Sequence, residues 1–170
     1  MMNLRMINLC LLVLTCLVFN AAKAEDYDCD PNVKIFREKE SFERSVLQSN
    51  SIWFVQFCEK GNKNCKEYVP IFSRAAEITK GFYNFALVDM SSKGGQAIGE
   101  DYFTATLPVH YIFSPTSQPS KYYGELDLSK ILQTLMNETV RTIQDRNKGK
   151  PDNKKEKEKK KEKGGMFAIH

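Results

Sequence analysis

The stretch from Ser51 to Phe57 (Ser-Ile-Trp-Phe-Val-Gln-Phe) constrains the fold more than any other part of the chain. A strand with one wet face alternates apolar and polar residues. This run is β-rich and almost continuously apolar, as in a central strand covered on both faces. A second run of this kind spans Phe82 to Met90. Between them lie a polar loop, Cys58 to Asn62, and a helix expected from about Lys63 to Lys80. Its apolar positions are Val69, Phe72, Ala76 and Ile78, and Pro70 is expected to kink it. Upstream, Val33 to Phe36 reads as a short strand and Glu40 to Gln48 as a charged amphipathic segment. Downstream come a short helix at Gly94 to Tyr102, a strand at Val109 to Phe113, a turn at Ser114 to Pro119 and a short strand at Ser120 to Tyr123. A closing helix is expected from Asp127 to about Arg146, its apolar stripe formed by Leu128, Ile131, Leu132, Leu135, Val140 and Ile143. The order βαβαβαββα implies an α/β fold, a mixed central sheet with helices on both faces.

The 170 residues suffice for one domain. Their net charge of +4 is unevenly spread. Residues 147–170 carry nine Lys against four acids, net +5, and residues 1–24 add Arg5 and Lys23. The remaining segment, 25–146, has 14 basic and 17 acidic groups, net −3. The expected division is a leader (1–24), a folded domain (25–146) and a Lys/Glu-rich disordered tail (147–170). No nucleic-acid partner is expected, because phosphate recognition needs clustered Lys and Arg on folded structure.

Arg5, the apolar run Ile7 to Phe19 and the small-x-small triplet Ala22-Lys23-Ala24 form a signal-peptide pattern, with cleavage expected after Ala24. The apolar run is about 13 residues, short of the roughly 20 that a membrane span needs. No transmembrane segment is expected in the mature chain. In the secretory route Asn137-Glu138-Thr139 is an N-glycosylation sequon, making Asn137 the acceptor. Of the five Cys, Cys10 and Cys16 leave with the leader, while Cys29, Cys58 and Cys65 remain. An odd count in an oxidising compartment allows one internal bond at most. Three scattered Cys, with His110 and His170 far apart, match no metal-ligand spacing, so neither metal nor other cofactor is expected.

Four ordered stretches resemble the thioredoxin domains of protein disulfide isomerases. They are Trp53 to Phe57; Cys65-Lys66 followed by Pro70; Val88-Asp89; and Leu107-Pro108 with Tyr123-Gly124-Glu125 beyond it. The resemblance spans residues 33 to about 146 and implies a thioredoxin-like fold. Aligned without a gap, Phe57 to Lys66 (Phe-Cys-Glu-Lys-Gly-Asn-Lys-Asn-Cys-Lys) lies over the family's Phe-Tyr-Ala-Pro-Trp-Cys-Gly-His-Cys-Lys. Cys65 takes the resolving-cysteine position and Asn62 replaces the attacking cysteine. An Asn amide can neither attack a disulfide nor be released from one, so the usual two-cysteine chemistry is expected to be lost. Gln56 stands where the family holds a buried acid, and cannot take up a proton at neutral pH. Gly61 replaces the family's aromatic residue.

Cys58, at the family's Tyr position, lies seven residues before Cys65. Three readings remain open at this point: a structural Cys58–Cys65 disulfide, two separate half-buried thiols, or a relocated redox-active pair. The resemblance also implies that Pro108 is cis, and that the backbone beside it, at Leu107, pairs with extended polypeptide. His110 reads as an ordinary strand residue.

These readings converge on a protein of the endoplasmic reticulum lumen or a secreted protein, binding unfolded or cysteine-bearing polypeptides with little or no dithiol redox activity. The alternative is a weak thiol–disulfide oxidoreductase using Cys65 with Cys58 or Cys29. A third reading is a secreted interaction protein with no folding role. The terminal Phe167-Ala168-Ile169-His170 is not a Lys-Asp-Glu-Leu-type retrieval signal. The basic tail is expected either to solubilise the domain or to contact an acidic partner.

Overall fold

The computed structural model describes residues 27–102 and 104–148. The expected leader lies outside these residues, as does the expected tail beyond Lys148. Five strands form one sheet: β1 (Val33–Phe36), β2 (Trp53–Cys58), β3 (Asn84–Asp89), β4 (Val109–Ser114) and β5 (Ser117–Tyr122). The helices are α1 (Lys39–Phe42), continued by a π-helical turn at Glu43–Leu47, then α2 (Lys63–Ile78), α3 (Lys93–Gly99) and α4 (Leu128–Lys148).

The strand order is β1-β3-β2-β4-β5. β3 runs parallel to both β1 and β2, whereas β4 is antiparallel to β2 and β5. β2 is therefore the central strand, and all six of its residues are buried. Its alternation divides the core into two layers. Trp53, Val55 and Phe57 pack with Phe36, Phe42, Val88, Ile98 and Tyr111 on the α1/α3 side. Phe54 and Cys58 pack with Cys65, Phe72, Ala75, Ile131 and Leu135 on the α2/α4 side. This is the expected thioredoxin-like α/β fold.

α2 is the expected helix, with Pro70 at an exposed position inside it. Two elements differ from expectation. β5 begins at Ser117 instead of Ser120, because the reversal after β4 is tight. In the second half of α4, Val140 and Ile143 are exposed whereas Glu138 and Thr142 are buried. There the helix faces the polar end of the β4–β5 hairpin. The Thr142 and Ser114 hydroxyls are 2.8 Å apart, and Ser117 Oγ donates to Glu138 Oε1 at 3.5 Å.

Candidate functional site

The site forms where the C-terminal ends of β2 and β3 meet the start of α2. The chain leaves β2 at Cys58, turns through Gly61 at φ 82° and enters α2 at Lys63. That left-handed backbone suits glycine and would strain an aromatic residue, which accounts for the small residue in the loop. Asn62 is the N-cap, its Oδ1 accepting from the Cys65 backbone N–H at 3.2 Å. Its Nδ2 donates to the Leu107 carbonyl at 3.5 Å, tying the loop to the segment before β4. The Leu107–Pro108 peptide bond is cis, and both residues are half-buried.

Cys58 and Cys65 form a disulfide with a Cα–Cα separation of 5.8 Å. The bond removes the reading of two separate thiols. The pair is sealed, Cys58 being 0% exposed and Cys65 1%. Gln56 lies beneath it, two residues back on the same strand face, and its Nε2 donates to Cys58 Sγ at 2.8 Å. Across the ladder Gln56 pairs with His110.

His110 is a residue of strand β4, as expected. It is buried, stacked on Phe54 with ring centroids 5.7 Å apart and flanked by Tyr68 and Phe72 of α2. Burial pushes its pKa down to about 4, so the imidazole is neutral at physiological pH. The sequence signal for this placement is slight. Only the β2–β4 register shows that Gln56 and His110 share one buried face.

A second polar cluster was not anticipated from the sequence. The segment before β1 crosses the strand ends, where the Tyr27 hydroxyl lies 3.0 Å from the Cys58 carbonyl oxygen and 3.1 Å from Asp89 Oδ1, its one hydrogen shared between these two acceptors. Asp89 is buried and also accepts from Arg37 Nε at 2.9 Å. Burial and the Asp89 carboxylate together raise the Tyr27 pKa. Gly95 lets α3 approach this strand end, since a Cβ there would lie 1.9 Å from the Asp89 carbonyl oxygen. Beside the segment before β1 a groove of about 990 Å³ opens, lined by Tyr27, Cys29, Lys60, Lys66, Val69 and Pro70 among others. Cys29 stands outside the disulfide and is half-buried in this groove. Asn137 is exposed on α4. Among the described residues no group of three or more His, Cys, Asp or Glu is placed to hold a metal ion.

The Thioredoxin family model matches residues 33–137. The chain is 29% identical over 111 residues to a protein disulfide-isomerase A6 homolog from Caenorhabditis elegans, covering 65% of this chain and 25% of the relative. It is 26% identical over 110 residues to protein disulfide isomerase-like 2-3 from Oryza sativa subsp. japonica, covering 65% and 24%. The chain thus spans about a quarter of the length of these relatives. Among solved structures, the J-Trx1 fragment of ERdj5 superposes with a TM-score of 0.57 at 19% identity, covering 64% of this chain and 52% of that one. The Trx4 domain of ERdj5 superposes with a TM-score of 0.57 at 16% identity, covering 64% and 96%. The sheet order, the cis-proline segment facing the α2 N-terminus and the matched residues agree: the chain belongs to the thioredoxin family, with protein disulfide isomerases among its relatives.

Proposed function

We propose that this chain is a polypeptide-binding module of the secretory pathway with little or no dithiol exchange activity. One observation carries the reading. The attacking-cysteine position holds Asn62, engaged as a helix cap, while the cysteines nearest it are locked in a buried disulfide. Leu107 and Pro108 are half-buried beside that cap, where the backbone of an extended chain would pair. Unfolded or cysteine-bearing polypeptides are the fitting partners. The leader pattern and a disulfide both suit the endoplasmic reticulum lumen or the cell exterior. The lysine-rich residues 147–170 give an acidic partner a place to bind.

The test is titration of a fluorescent, permanently unfolded polypeptide with the wild type and with Leu107→Asp. Saturable binding weakened at least tenfold by the substitution supports the reading. Equal affinity in the two proteins, or no binding by the wild type, overturns it.

A second reading, weak thiol–disulfide exchange, draws on Cys29. Its groove includes Lys60 and Lys66 together with Asp28, Asp30 and Glu59. Attack of the Cys29 thiolate on the Cys58–Cys65 bond would join Cys29 to one sulfur and release the other as thiolate. Insulin reduction separates the readings. A wild-type rate above background that disappears in Cys65→Ala favours exchange.

A further inference from the structure

The buried face beneath the disulfide holds two polar atoms with no hydrogen-bond partner among the described residues, Gln56 Oε1 and His110 Nε2. Gln56 is 0% exposed and His110 6%, so water does not compensate either atom at the surface. Orphaned buried polar atoms destabilise a fold and are rare. These two belong to residues directly opposite one another on β2 and β4. The Gln56 amide already touches Cys58 Sγ through its other end, at 2.8 Å.

A disulfide sulfur carries no hydrogen, but a thiol does. Reduction by a dithiol breaks the Cys58–Cys65 bond, oxidises the reductant to its own disulfide and leaves one hydrogen on each sulfur. The new Cys58 S–H is then a donor against the Gln56 amide. If that amide turns over, its Oε1 accepts from the thiol and its Nε2–H points toward His110 Nε2. With His110 as its Nδ1–H tautomer, that one rotation would give both orphans a partner. The surroundings suit an uncharged acceptor. His110 is faced by Phe54 from β2, by Tyr68 and Phe72 from α2, and by its ladder partner Tyr122 from β5. The titratable groups among these are two tyrosines, and burial raises the pKa of Tyr122. The low pKa of His110 agrees with a neutral ring.

We propose that Gln56 and His110 form a redox-gated hydrogen-bond relay that stabilises the dithiol form of Cys58 and Cys65. The inference goes beyond polypeptide binding, and its test contains no polypeptide.

The full chain is equilibrated with reduced and oxidised dithiothreitol, and the dithiol fraction is counted by alkylation and mass. In His110→Leu and in Gln56→Met the equilibrium constant for reduction is expected to fall about five-fold, the worth of one net hydrogen bond. The double variant falls little further, because the relay is broken once. His110→Gln, which keeps an acceptor, recovers most of the loss. Unchanged constants, or losses that add, overturn the relay. A wild-type measurement stands independently of how the variants fold: the His110 Nε2 nitrogen resonance must move on reduction. A resonance that stays fixed overturns the proposal, as does a disulfide that opens only on global unfolding.

Discussion

Asn62 accepts the backbone N–H of Cys65 at 3.2 Å and donates to the carbonyl of Leu107 at 3.5 Å. One side chain thus caps a helix and fastens the cis-proline segment to it. Where a thiol would do chemistry, this chain has an architectural amide.

The two roles of Asn62 separate by substitution. Asn62→Ala loses both and is expected to cost about 1 kcal/mol. For a domain of this size that lowers the melting temperature by about 3–5 °C. Asn62→Asp keeps the cap acceptor at a helix N-terminus, where negative charge is favoured, but loses the donor to Leu107. Its melting temperature is expected within about 1 °C of wild type. Calorimetry of the two variants checks the difference.

Asn62→Cys tests what the site lacks. A thiol at the start of α2 is acidified by the helix terminus and attacks client disulfides. Cys65 is bonded to Cys58, so it is not available to release the client. The single substitution is therefore expected to accumulate mixed disulfides, seen on non-reducing gels, with little insulin turnover. Combined with Cys58→Ala, which leaves Cys65 as a resolving thiol, turnover should rise at least tenfold over wild type. Equal turnover in the single and double variants would show that Cys58 does not block the reaction.

The sheet was legible because the runs ending at Phe57 and Met90 are too apolar to lie anywhere but the middle of a layered structure. The position of Asn62 was legible from its spacing to Cys65. Three features were not. The Cys58–Cys65 bond depends on how β2 enters α2, so spacing alone leaves it open. His110 depends on cross-strand register, invisible until β4 is paired with β2. The second half of α4 carries an apolar stripe at Val140 and Ile143 that stays exposed. Its buried face instead meets Ser114 and Ser117; the Ser114 hydroxyl partners Thr142, and the Arg141 guanidinium at 2.7 Å offsets the burial of Glu138. Periodicity identifies a helix face, but not which neighbour it meets.

Asn137 is exposed on α4 and its sequon partner Thr139 is half-buried, with Thr139 Oγ1 2.9 Å from the Tyr83 hydroxyl. A glycan at Asn137 therefore projects outward without displacing the core. Expression through a secretory route is expected to give a species whose mobility shift is removed by endoglycosidase and absent in Asn137→Gln. A wild-type product without the shift would remove either the secretory route or use of this sequon.

The buried imidazole makes stability depend on pH. His110 has a folded pKa of about 4 against an ordinary value of 6.5, so between these values the unfolded chain binds more protons. The contribution is complete above pH 6.5 and is lost as pH falls through this window. At pH 4.5 the loss is about 2–3 kcal/mol, set by the size of the shift. Carboxylates titrating nearby affect wild type and His110→Leu alike, so the difference between the two isolates the imidazole. Urea midpoints at pH 7 and 4.5 are expected to fall more steeply for the wild type. Parallel falls would place His110 in contact with water.

Removing the disulfide separates its structural role from any exchange role. Closing a loop of this short span stabilises a fold by about 2–3 kcal/mol through the unfolded chain. Cys58→Ala with Cys65→Ala is expected to lose that amount, and somewhat more because the Gln56 amide is left without its sulfur contact. Cys29→Ala, outside the bond, should cost less than about 1 kcal/mol. Denaturant titration ranks the variants, and polypeptide binding by the double variant below its melting temperature completes the test. Binding retained in the destabilised protein assigns the disulfide to the scaffold. Binding abolished while the fold persists would place the bond within the binding surface, against its burial at 0% and 1% exposure.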